Sequence, residues 1–119
     1  MDNNHLIDVL RLINNLQKEA TIPTNSSCTK PLLGNIDSFN TRPVTFYSCN
    51  NSLLTVNYYV DNVLNTSSVF RIEDVNNSCV TVRLLAQDEG SYTATNEFAT
   101  ININCICAIR CLNDINLTI

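Results

Sequence analysis

Two hydrophobic periods divide the chain. Between His5 and Glu19, Leu6, Val9, Leu10, Ile13 and Leu16 recur at spacings of three and four. That repeat predicts a helix with one apolar stripe. Asp2, Asn3 or Asn4 can cap its start, Asp8 sits in its first turn, and Lys18 lies near its end, where a cation suits the helix dipole. Pro23 blocks any continuation. The favoured place for the stripe is the domain's own core; a neighbouring subunit is the alternative.

From Val44 onward the period changes to two. Val44 to Cys49 and Leu53 to Val60 read as strands, and Val69 to Val75 as a third, with Phe70 and Ile72 on one face and Arg71 and Glu73 on the other. Asn76-Asn77-Ser78 turns into a fourth strand from Cys79 to Leu85, where Val80, Val82 and Leu84 share a face. Asp88-Glu89-Gly90-Ser91 reads as another turn, and Tyr92 to Glu97 as a short fifth strand. In the last segment Ile101, Ile103, Cys105, Cys107, Ile109 and Cys111 have one parity. A single strand there would line one face with all three clustered cysteines. A helix through Cys105 to Leu112 is the competing reading. Asn113-Asp114 then leads into Ile115 to Ile119, which alternates again.

These elements predict a mainly β fold: one antiparallel β-sandwich or barrel-like domain with a single N-terminal amphipathic α-helix. The expected division is a helix over 1–20, a loop over 21–43 and a β core over 44–119. The loop rests on Pro23, Pro31, Gly34 and Pro43 among many Ser, Thr and Asn. A chain of 119 residues fits one domain.

Charge sharpens the picture. Charged residues make up only 15%, below the usual share of about 25%. Either much of the surface meets other protein, or an Asn/Ser/Thr-rich surface does the work of charge. The net charge is −4 and the seven basic residues are scattered. Nucleic acid needs a positive footprint, so no nucleic-acid partner is expected. An anionic membrane is disfavoured for the same reason, and no run approaches the roughly 20 apolar residues of a spanning helix. The N-terminus lacks a basic region ahead of an apolar stretch, so export through a secretory leader is not expected. The five Asn-x-Ser/Thr sequons, at Asn25, Asn50, Asn65, Asn76 and Asn116, are then expected to be inert.

The candidate functional residues are the six cysteines: Cys28, Cys49, Cys79, Cys105, Cys107 and Cys111. Zinc sites need two close pairs, usually Cys-x₂₋₄-Cys, separated by a loop. Here one cluster stands alone, and the only histidine is His5. No metal is expected; cross-linking or plain buried thiols fit better. A lone histidine also removes most nucleophilic mechanisms. With two glycines no phosphate loop can be written. Glu73 and Asp74 would point to opposite faces of a strand, and they and Asp88 and Glu89 are expected to be solvated. No catalytic residue and no cofactor are expected, and the chain is not expected to be an enzyme.

Phe70-Arg71-Ile72-Glu73-x-Val75, Ser78-Cys79 and Arg83-Leu84-Leu85 resemble the central signature of the CotY/CotZ/ExsY family of spore outer-coat, crust and exosporium proteins. The tail from Cys105 to Asp114 resembles its Cys-rich ending. Ile7-Asp8-Val9 through Leu16-Gln17, Cys28 before Pro31-Leu32-Leu33-Gly34, and Asn40-Thr41-Arg42-Pro43 also fit. Three features depart from the pattern: Asn4-His5 stands where members carry a cysteine, Ile106 replaces an aromatic residue, and Cys49 lacks a counterpart.

The resemblance implies a structural, self-assembling protein of the endospore surface. It implies synthesis in the mother-cell cytoplasm, two-dimensional lattices or rings stiffened by disulfides, and partners that are further copies of itself and other spore-surface proteins. Thiols made in a reducing cytosol would then oxidise later. On one extended face Cys105 and Cys107 are poorly placed to pair with each other. Each must reach Cys28, Cys49 or Cys79, or a thiol on a neighbour. Cys28, in the Ser/Thr-rich loop, is the favoured link between subunits. The alternative reading is a secreted, disulfide-bonded binding or adhesion domain.

Overall fold

The computed structural model describes residues 4–21 and 39–118. Cys28 and most of the expected loop lie outside the described residues. The helix α1 spans Asn4–Thr21. Seven strands follow: β1 Val44–Tyr47, β2 Val56–Val60, β3 Val63–Ser67, β4 Phe70–Val75, β5 Cys79–Asp88, β6 Ser91–Asn102 and β7 Ala108–Cys111. All pairings are antiparallel. Five strands form an open sheet in the order β6-β5-β4-β1-β7, and β2 and β3 form a separate hairpin. The mainly β, antiparallel class with one N-terminal helix therefore holds, in two sheets that do not close into a barrel.

Alternation explains the central sheet. Val44, Phe46, Phe70, Ile72, Val80, Val82 and Leu84 turn to one face and are buried. Leu10 and Ile13 of α1 and Tyr58 of β2 pack into the same core. Phe46 and Phe70 stack there with ring centroids 5.6 Å apart, a geometry that adds to their large apolar burial. The helix is thus held by the sheet within its own chain.

The helix stripe is rotated from its expected position. Leu10 and Ile13 are buried, but Leu16 is 55% exposed. Asn14 and Gln17 take the inner places instead. Gln17 can do so because its amide is satisfied: Nε2 donates to the Ile72 carbonyl at 2.6 Å, and Oε1 accepts from the Arg42 backbone N–H at 3.0 Å. A β-bulge at Glu73 shifts the β4–β5 register beside that carbonyl. Asp8 falls just past the first turn, since α1 starts at Asn4.

Strand β3 is absent from the pattern reading. Its hairpin turns at Asp61-Asn62, both at positive φ (51° and 67°), as a tight two-residue hairpin loop requires. The expected strand from Leu53 starts later, at Val56, because Ser48 to Ser52 closes a turn first: Ser48 N–H donates to Ser52 O at 2.8 Å and Asn51 N–H to Ser48 O at 2.9 Å. The fifth expected strand is longer than its pattern, running to Asn102 as β6. A bulge breaks its alternation: Arg83 pairs Phe98, and Leu85 pairs Ala94. The turn before it holds as expected, with Glu89 and Gly90 at positive φ.

The largest difference concerns the cysteine-rich segment. It is neither one strand nor a helix. β6 ends at Asn102, a 3₁₀ turn covers Ile103–Cys105, and β7 begins at Ala108 on the opposite edge of the sheet. The segment straps across one end of the core. Ile103 N–H donates to Ser78 O at 2.8 Å, and Cys107 N–H to Tyr47 O at 2.9 Å. Ile103 and Ile106 are both buried; a spacing of three buries both in a turn, where a strand would put them on opposite faces. Beyond β7, Ile115 makes only an isolated bridge to Thr41 where a strand was expected.

Candidate cross-linking site

The strap places the cysteines. Cys49 stands exposed in the turn that follows β1, and Cys107 stands exposed just before β7, which pairs with β1. Pairing Tyr47 with Ala108 brings these two flanks together. Cys49 and Cys107 form a disulfide across 58 residues of chain, with Cα atoms 4.8 Å apart, a separation that an ordinary bridge spans. Cys49, isolated in the sequence, is thus the partner of a clustered cysteine.

Three described cysteines are free. Cys105 is exposed between the buried anchors Ile103 and Ile106. Cys111 is exposed at the end of β7. It hydrogen-bonds Arg42, whose guanidinium also pairs with Asp114 at 2.9 Å; Asp114 first, then Cys111, hold the Arg42 pKa above its ordinary value. That pair is well exposed, so it contributes little stability. Cys79 is partly buried at the start of β5. Asn76 Oδ1 accepts from the backbone N–H groups of Ser78 and Cys79, at 2.8 and 2.7 Å, and fixes the turn before it. The single-face arrangement of Cys105, Cys107 and Cys111 does not occur, since the three stand on a 3₁₀ turn, an irregular link and a strand.

The sheet face away from the core carries an ionic network built from the signature residues. Glu73 is not the solvated carboxylate expected of it: its Oε2 accepts from Arg71 Nη1 at 2.6 Å and from Arg83 Nε at 3.2 Å. Arg71 also donates to Thr41 Oγ1 at 2.9 Å and to Asn40 O at 3.2 Å. Arg83 donates to Thr95 O at 2.8 Å and lies 4.4 Å over the Phe98 ring. Such a carboxylate between two guanidinium groups offsets the cost of removing them from water. Asn40 in turn holds the C-terminal segment: Oδ1 accepts from Leu117 N–H at 3.0 Å and Nδ2 donates to Leu117 O at 2.9 Å. Leu117 packs with Val69 and Leu85 in a second small core. Leu84 and Leu85 are thus both buried, one in each cluster.

Apolar side chains remain exposed in two places. Tyr59, Val60, Val63 and Leu64 project from the β2–β3 hairpin. Leu12, Leu16 and Phe39 line a groove beside α1 that also reaches Arg42 and Cys111. Among the described residues, no group of three or more His, Cys, Asp and Glu is placed to hold a metal ion. His5 is exposed at the start of α1. No described helix is long and apolar enough to cross a membrane.

These features define a small antiparallel β domain with, among the described residues, one internal bridge and two exposed free thiols. Residues 2–94 match the family described as Spore coat protein Z, and the chain belongs to that family. Membership brings a structural role in the spore coat and a place at the spore surface. The match spans α1 and the central β4–β5 signature and stops within β6. Cys105, Cys107 and Cys111 fall beyond it. No curated protein matches the chain, and no solved structure does.

Proposed function

We propose that the chain is a self-assembling subunit of the outer spore surface, in the outer coat, crust or exosporium, and that disulfides between subunits stiffen its lattices or rings. The observation that carries this reading is that Cys105 and Cys111 are exposed and free while the fold already holds its own bridge. Exposed thiols outside the folded core can link chains without disturbing it. The low charge and the exposed apolar hairpin support contact with further copies of the chain and with other spore-surface proteins. On this reading the chain is made reduced in the mother cell and oxidised afterwards, it carries no cofactor, and it is not an enzyme. A secreted binding domain would pair all six cysteines internally; the free state of Cys79, Cys105 and Cys111 favours the first reading.

Single Cys→Ser variants run on denaturing gels without reductant test the cross-links. The wild type is expected to give a high-mass ladder that collapses with reductant. Cys28→Ser, or a variant in the C-terminal cluster, is expected to shorten it. A wild type that migrates as monomer, or a ladder that survives every variant, contradicts the assignment.

A further inference from the structure

We infer that the Cys49–Cys107 bridge is an exchange partner for a neighbouring subunit's Cys105, so that subunits link by thiol–disulfide exchange without an added oxidant. The inference rests on the assembly reading above. Three observations lead to it. Both bridged cysteines are exposed, so an incoming thiolate can reach the sulfurs. Cys105 is free and exposed two residues from Cys107, on the same strap. Ile103 and Ile106 are buried on either side of Cys105, so the strap is anchored to the core next to its exposed thiol. In a two-fold contact that brings Cys105 of one copy to the bridge of the other, the reverse pair forms as well, because an isologous interface repeats each contact.

The step balances without a co-reactant. The Cys105 thiolate of one copy attacks the Cys49 sulfur of the other. The Cys49–Cys107 bond breaks as the Cys105–Cys49 bond forms, and Cys107 leaves as a thiolate that takes up a proton. One disulfide is consumed and one is made, and the number of free thiols is unchanged. Cys49 is the favoured sulfur. It stands in the Ser48–Ser52 turn, whereas Cys107 follows the buried Ile106 and is tied to Tyr47 by its backbone N–H.

The test uses the full chain, purified with its bridge intact and incubated without oxygen. Covalent dimers on non-reducing gels, the free-thiol count and particle size by light scattering are followed together. Dimers are expected to grow while the thiol count stays constant, and peptide mapping is expected to find Cys105 joined to Cys49. Cys105→Ser, which keeps the bridge, is expected to lower dimer yield at least 10-fold; Cys111→Ser is expected to leave it unchanged. A Cys49→Ser/Cys107→Ser variant is expected to lose the oxygen-free dimers as well. Dimers that require oxygen and consume thiols, or that persist in Cys105→Ser, overturn the exchange. Particles without oxygen-free dimers overturn the exchange alone; neither particles nor dimers overturns the assembly reading beneath it.

Discussion

The β4–β5 pair and the strap from Ile103 to Cys107 lie in one fold and do opposite things. In β4 and β5, Phe70, Ile72, Val82 and Leu84 alternate with Arg71, Glu73 and Arg83. One face fills the core and the other closes an ionic network, so little is left to react. In the strap, Ile103 and Ile106 are the only buried side chains, and Cys105 and Cys107 stand out in solvent. The first region makes the fold, while the second carries its chemistry at little cost to it. That division agrees with the family match, which covers the first region and ends before the second.

Substitutions sharpen the contrast. The largest effect is expected in the central pair: Phe70→Ala removes a fully buried ring that stacks on Phe46, and should cost about 3–5 kcal/mol in urea unfolding. Glu73→Gln leaves Arg71 and Arg83 without their shared carboxylate; the same measurement should read a loss of about 1–3 kcal/mol. Cys105→Ser should change stability by less than about 0.5 kcal/mol, as an exposed substitution does. A loss from Cys105→Ser comparable to that from Phe70→Ala would erase the distinction between the two regions.

The same contrast marks how far the amino-acid pattern could be read. Strands β4 and β5 were legible because a half-buried strand must alternate, and Val80, Val82 and Leu84 do so without a break. The strap was not, because Ile101, Ile103, Cys105 and Cys107 also alternate. The deciding pair was Ile103 and Ile106, whose spacing of three fits a turn that buries both. The hairpin was hidden because β3, Val-Leu-Asn-Thr-Ser, buries only Ser67; the signal that could have found it is Asp61-Asn62, residue types that tolerate positive φ. The period points Leu16 to the core, but Gln17 takes that place, because an amide with two backbone partners can be buried there. Of the cysteines, their number and the absence of a metal-binding spacing were plain. The pairing of Cys49 with Cys107 depends on β7 lying beside β1, which no local pattern reveals.

The central claim is that this chain assembles. Its most direct test is the size of the purified protein in solution across concentrations without reductant, followed by electron microscopy of the same sample. The account predicts oligomers that extend into sheets or closed rings. A sharp monomer of 13.3 kDa at every concentration would contradict it.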